Sequence, residues 1–115
     1  MREKRYKIQY THSSRKDIRR MKKYILDTFK YRELGENFTK KMKSATEGLK
    51  LFPKGFGTIG FRYRGYDIYM KPYRTYLFFY VVDEDNRNVI VLRVLQESMN
   101  WQLILKQWLK KNNKF

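Results

Sequence analysis

Three groups of side chains in this chain have the types and spacing to do chemistry. The first is Arg93, set inside the apolar run Val89-Ile90-Val91-Leu92-Arg93-Val94-Leu95. Its planar fork of donors suits a phosphate or a carboxylate. Strand alternation puts Ile90, Leu92 and Val94 on one face and Val89, Val91, Arg93 and Leu95 on the other. If the first set packs on helices, Arg93 points into the concave face of the sheet. Two roles stay open: an anion site, or a structural ion pair with an acid of a neighbouring strand such as Asp67. The second group is Arg62, Tyr63, Arg64, Tyr66, Tyr69, Lys71, Tyr73, Arg74 and Tyr76, with Lys54 just ahead of it. Tyrosines interleaved with cations on strands can stack on bases and neutralise phosphates. The plainer alternative is a half-exposed sheet that uses tyrosine for its strand propensity. The third is His12, the only imidazole. A general base is conceivable there. It stands in a strand-to-helix loop with no acid near it in sequence, which favours a surface or capping role.

Other chemistries find no support in the pattern. There is no glycine-rich phosphate cradle, no Ser-His-Asp arrangement and no paired-carboxylate site. The chain has no cysteine and one histidine, so cysteine-based and histidine-rich metal sites are excluded. Metal-dependent nuclease chemistry needs clustered acids. The one acidic cluster, Asp83-Glu84-Asp85, reads as a turn. The expectation is no cofactor and no metal.

The elements that must position these residues follow from periodicity. Residues 6–10 alternate apolar and polar side chains and read as a short strand. Ser14 with Asp17 three residues on fits a capping box. Ile18, Met21, Ile25 and Phe29 then repeat at helical spacing, while Arg15, Lys16, Arg19, Arg20, Lys22 and Lys23 carry the other face. After a break over residues 30–35, Leu34, Phe38, Met42, Ala45, Leu49 and Phe52 form a second helical stripe. Pro53 ends it. A short connection between two amphipathic helices implies an antiparallel hairpin. Residues 54–60 hold three glycines and read as a loop. Residues 61–64 turn at Gly65 into residues 66–71. Residues 76–82 are nearly all apolar, as expected of a central strand covered on both faces. Residues 88–95 form the last strand. Trp101, Ile104, Leu105, Trp108 and Leu109 make a third helical stripe. The order β-α-α-β-β-β-α gives an α+β fold: an N-terminal strand, a helical hairpin packed on a mostly antiparallel four-stranded sheet, and a C-terminal helix.

Composition bounds the rest. A chain of 115 residues with 42% hydrophobic content is expected to form one domain, 1–115, with a small but real core. Lys and Arg number 27 against 11 Asp and Glu, for a net charge of +16. So large an excess disfavours the compact state through self-repulsion and calls for an anionic partner: nucleic acid, a nucleoprotein surface or an acidic protein. A solvated basic surface kept for solubility is the alternative. Met1-Arg2-Glu3-Lys4-Arg5 has no apolar h-region, so no signal peptide is expected. No apolar run approaches the ~18 residues of a membrane span. The cytoplasm is the expected location.

Taken in order, the pieces resemble the RelE/ParE superfamily of bacterial type II toxin–antitoxin systems. His12-Ser13-Ser14 before a charged helix resembles the family's first strand and helix. Leu49-Lys50-Leu51-Phe52-Pro53 resembles its helix end. Residues 76–82 followed by Asp83-Glu84 resemble its central strand and turn. Val91-Leu92-Arg93-Val94-Leu95 with Met99-Asn100-Trp101 resembles its close. The resemblance implies a cytoplasmic toxin that arrests bacterial growth, a role in plasmid stabilisation, and a cognate acidic antitoxin as partner. Trp101, Ile104, Leu105 and Trp108 carry more apolar area than a solvated tail tolerates, so they are expected either to dock on the chain's own sheet or to supply the antitoxin contact, and target contacts are expected at Lys54, Arg62, Arg64, Lys71, Arg74, Arg93 and Trp101.

Two branches of the family differ in target. RelE-like toxins are metal-independent endoribonucleases that cut mRNA on the ribosome, and that branch would place catalysis on Arg62, Lys71, Arg74, Arg93, Tyr69 and Tyr73. ParE-like toxins inhibit DNA gyrase and are not known as nucleases. The histidine that commonly ends the RelE strand is Gln96 here. The arginines that often follow are Glu97 and Ser98, and the arginine after the strand-opening tyrosine is Leu77. The expectation leans to gyrase inhibition. An mRNA interferase, or a non-toxic nucleic-acid-binding module of the same fold, is the alternative.

Overall fold

The computed structural model describes residues 5–113. Most of the charged segment that leads into the first strand lies outside the described residues. The order is β1 (Lys7–Tyr10), α1 (His12–Phe29), α2 (Arg32–Glu47), two single 3-10 turns, β2 (Thr58–Tyr63), β3 (Tyr66–Tyr73), β4 (Tyr76–Asp83), β5 (Asn88–Gln96) and α3 (Trp101–Asn112). The strands form one sheet in the order β1-β5-β4-β3-β2. The pair β1–β5 is parallel and the other pairs are antiparallel. The α+β class is as expected, but the sheet has five strands rather than four. The additional edge strand is β2. It starts at Thr58, inside the stretch read as a loop, because Gly60 takes a positive φ of 82° at a register shift between Thr58 and Arg62. A glycine in that conformation permits an irregular strand that no alternation rule detects.

β4 lies in the middle, and residues 77–82 are all buried. Phe78, Tyr80 and Val82 pack with Phe38, Met42, Ala45 and Leu49 of the helical hairpin region. Leu77, Phe79 and Val81 pack with Ile68, Leu105 and Leu109. The sheet therefore has a core on each face, with α1 and α2 on one side and α3 on the other. This is why the strand reads as a continuous apolar run. The hairpin's two helices come close because α2 carries Gly35 where a Cβ would lie 2.8 Å from the side chain of Leu26.

Three local expectations are corrected. The cap of α1 is Thr11, whose hydroxyl accepts from the Ser14 N–H at 3.1 Å. Ser14 is not the cap, and Asp17 is free to reach the sheet. The expected faces of β5 are exchanged over residues 89–92 and kept at Val94 and Leu95: Val89, Val91 and Val94 meet the hairpin side, while Ile90, Leu92 and Leu95 meet the α3 side. The cause is a register shift, where Phe79 pairs with Arg93 but Tyr80 pairs with Val91. The extra residue breaks alternation, so Val91 and Val94 share a face. Finally, Phe29, Leu34 and Phe52 at the ends of the two helical stripes are exposed.

α3 is anchored on its own sheet. Leu105 is fully buried. The Trp101 ring lies 5.2 Å from Phe79 and the Trp108 ring 5.4 Å from Tyr63. The Trp108 indole N–H donates to Ser13 Oγ at 2.8 Å. Trp108→Ala is expected to destabilise the fold by about 2–4 kcal/mol through lost area and a residual cavity. Denaturant unfolding monitored by far-UV circular dichroism measures this; an unchanged midpoint would show that α3 is not anchored by this ring.

Candidate functional site

The best-ordered charged group in the molecule is the pair Asp17–Arg93. Arg93 Nε donates to Asp17 Oδ2 at 2.8 Å and its Nη2 donates to Oδ1 at 2.9 Å. The Val94 backbone N–H donates to the same carboxylate at 3.0 Å. The two side chains are only 13% and 7% exposed. The partner is thus an acid of α1, not Asp67, which instead lies 3.4 Å from Arg62 on the surface. Arg93 alternates with Val89 and Val91, which meet the hairpin side where α1 lies. Beside the pair is a cleft of about 390 Å³ lined by Arg20, Met21, Tyr24, Leu95, Gln96 and Met99 among others. Arg93 forms part of its wall, with its guanidinium held by Asp17.

The basic and aromatic set of β2 and β3 does not form one cluster. Tyr69, Tyr73 and Tyr76 pack toward the hairpin core, whereas Tyr63 packs toward α3. The Lys71 ammonium donates to the Ala45 carbonyl near the end of α2. It also lies 5.4 Å from the Phe56 ring centre. Burial pushes the Lys71 pKa down, against a small opposing effect of Tyr73. Tyr80, a neighbour of Tyr69 in a stacked pair at 5.5 Å, is buried and donates its hydroxyl to the Pro53 carbonyl at 2.6 Å. Burial raises its pKa strongly. Such a group cannot serve as a base near neutral pH.

The remaining expected residues sit at the turns. Arg64, Arg74 and Arg87 each adopt positive φ, at 50°, 56° and 53°. That conformation is uncommon for a residue with a Cβ. Each guanidinium lies near an aromatic ring: Arg64 is 5.0 Å from Tyr63, Arg74 is 5.8 Å from Tyr73, and Arg87 is 4.8 Å from Tyr6. These contacts offset part of the backbone strain. Arg64 and Arg74 stand at opposite ends of β3, roughly 25 Å apart along the strand. Lys54 and Arg87 gather with Tyr6 around Glu84. Hydrogen bonds from Lys54 and Tyr6 hold the Glu84 carboxyl below its ordinary value. Arg87 and Tyr6 belong to this network but were not legible in the sequence as site residues. Trp101 is half-buried against Phe79, and Ile104 and Trp108 are likewise half-buried. Fully buried Leu105 faces the sheet, so a partner can reach it only if α3 moves. His12 is exposed at the start of α1. Among the described residues no group of three or more His, Cys, Asp or Glu side chains is placed to hold a metal. No described helix is long and apolar enough to cross a membrane.

The family model for the ParE toxin of type II toxin–antitoxin systems, parDE, matches residues 8–101. The chain belongs to that family. A search of curated proteins finds no match. A chain of the RelBE2 toxin–antitoxin complex from Mycobacterium tuberculosis is 19% identical, with a TM-score of 0.56 over 83% of this chain and 94% of that one. The isolated RelE toxin of E. coli is 18% identical, with a TM-score of 0.50 over 90% and 99% of the two chains. At these identities the likeness is one of fold. This ParE-family chain shares with them the RelE-like arrangement of helices on a mostly antiparallel sheet.

The buried pair generates a prediction. Asp17→Ala leaves a cation buried without its partner and is expected to cost about 3–5 kcal/mol of stability. Replacing both residues with leucine should recover most of that loss. Chemical denaturation of the single and double variants is the measurement. A single-variant loss no larger than that of a surface pair, about 1 kcal/mol or less, would contradict the buried geometry.

Proposed function

We propose that this toxin acts as a ParE-like inhibitor of DNA gyrase, by binding rather than by cleaving RNA, and that a cognate acidic antitoxin neutralises it. The observation that carries the reading is the state of the polar groups on the sheet. Cleaving a phosphodiester at the 2′-hydroxyl needs cations to stabilise the pentavalent phosphate and a group that takes up the hydroxyl proton. Arg93 is committed to Asp17 and Lys71 to the Ala45 carbonyl. Tyr80 is buried with its pKa raised, and His12 is exposed at the start of α1. Arg62, Arg64 and Arg74 are dispersed along the edge and turns. These groups suit contacts with an anionic or mixed surface, and none converges on a point where a phosphate could react.

An antitoxin partner is supported by the family and by RelBE2, which is a toxin–antitoxin complex. The net charge of +16 favours an acidic partner. Location in the cytoplasm follows from the same reading.

Two measurements test this. Induction of the chain alone in a bacterial host should arrest growth, and co-expression of its acidic partner should restore it. Normal growth at good soluble expression would remove the toxin reading for this chain. Purified protein should then block supercoiling by gyrase, while primer extension on ribosome-bound transcripts shows no new ends. Codon-phased cuts with normal supercoiling would overturn the proposal in favour of a ribosome-dependent endoribonuclease using residues such as Lys71, Arg74, Tyr69 and Tyr73.

A further inference from the structure

We infer that the outer face of α1 is a docking surface for the phosphate backbone of duplex DNA. α1 spans 18 residues, about 27 Å at 1.5 Å per residue. Its solvent side carries two rows of cations: Arg15, Arg19 and Lys22, and beside them Lys16, Arg20 and Lys23. The steps within each row are four and three residues, so each row runs along the axis. The rows are one residue apart in sequence, which places them about 100° apart around the helix.

Three features set this face apart from the rest of the basic surface. First, its acids are removed from it. Asp17 is buried and committed to Arg93, which leaves Asp27 as the one outward acid of α1. Among the described residues only Lys23 of the six cations has a carboxylate partner, and both members of that pair are well exposed. α2 differs, since Glu33, Glu36 and Glu47 are interspersed with its cations. Second, the face has little apolar footing beyond the exposed rings of Tyr24 at its margin and Phe29 at the helix end. Ile18, Met21 and Ile25 turn toward the sheet. An amphipathic protein segment would bury little there, whereas a phosphate backbone needs only charge and donors. Third, the shape suits B-form DNA. α1 is packed on α2 and the sheet along one side, and its exposed side with the two cation rows suits a major groove about 12 Å wide, whereas the deep narrow groove of A-form RNA excludes a helix. The cations reach phosphates and not a defined set of base edges, so the contact is independent of sequence. Binding of this kind would hold the toxin on the DNA that its target enzyme works on. The inference does not depend on the gyrase reading, because it is measured without any enzyme.

The test uses the full chain with a fluorescent 20-base-pair DNA duplex, read by anisotropy over a salt series. The row variants are Arg15→Gln/Arg19→Gln/Lys22→Gln and Lys16→Gln/Arg20→Gln/Lys23→Gln. The control is Lys40→Gln/Lys41→Gln/Lys43→Gln on α2, which loses the same charge. Each row variant should bind DNA at least tenfold more weakly. Its salt slope should fall by two to three, at about 0.9 per lost phosphate contact. The control should change affinity less than threefold. Amide hydrogen exchange of the unaltered protein should show protection over α1 when the duplex is added, a readout that needs no variant to fold. Equal weakening by all three variants would mean that net charge alone attracts DNA. Tighter binding to an RNA duplex of the same length, or protection elsewhere with α1 unchanged, would equally overturn the proposal.

Discussion

The contact on which the arrangement depends is the buried ion pair between α1 and β5. α1 has only two buried residues, Ser14 and Asp17. Its apolar side chains Ile18, Met21 and Ile25 are partly exposed. Hydrophobic burial alone therefore holds this helix weakly. Asp17 adds a bidentate grip on Arg93 and a bond to the Val94 N–H, so the carboxylate gains three donors in place of the water it loses. A pair so well satisfied can offset its desolvation, where a bare one could not. Arg93 follows Val89 and Val91 at alternate positions, and those two valines meet the hairpin side where α1 lies. Without Asp17, an arginine turned toward α1 would be buried without a partner.

Acids are scarce in this chain, and where they sit explains how a domain of net charge +16 stays compact. Asp17 ties a helix to the sheet. Glu84 gathers Lys54, Tyr6 and Arg87 where the end of the hairpin segment meets the β4–β5 turn. Asp67 sits against Arg62 across β2 and β3. Each joins segments that are distant in sequence or on different strands, in place of decorating one surface. Most cations then remain outward and unneutralised. Their mutual repulsion is a standing cost to the folded state, and an anionic partner relieves it. Partner binding and stability are coupled for this reason before any specific contact is considered.

Periodicity made most of the fold legible. The stripe Phe38, Met42, Ala45 and Leu49 and the continuous run through β4 both led to buried elements, because both report one regular geometry repeated over many residues. What could not be read was irregular or long-range. The bulge at β5 has no local signature, so alternation groups Val94 with Ile90 and Leu92, and that set is read as the helix-packing one in place of Val89, Val91 and Arg93. The partner of Arg93 lies 76 residues away, and the spacing of Ser14 and Asp17 fitted a cap that Thr11 makes instead. β2 was shortened because its glycines resemble a loop until Gly60 is seen at positive φ. The tyrosine and arginine series of β2 and β3 looked like one surface in the sequence, but pleating divides it between two cores and two ends of a sheet.

That division bears on the proposal that this RelE-like scaffold binds its target and does not react with it. Catalysis requires a few groups to converge within hydrogen-bond reach of one atom, with at least one of them able to change protonation state. The central part of this sheet holds its polar side chains in structural contacts: Tyr80 on the Pro53 carbonyl, Lys71 on Ala45, Arg93 on Asp17. Each contact fixes a loop or helix end to the sheet. The charge that remains free among the described residues lies on the helices and at the tips of the strand hairpins, where Arg64 and Arg74 take positive φ beside aromatic rings. Groups so placed are too far apart to act on one phosphate, yet they spread over several faces of a small domain. On the proposed reading, a scaffold arranged this way would contact an extended anionic surface at many points, and its effect on a target would come from occupying that surface.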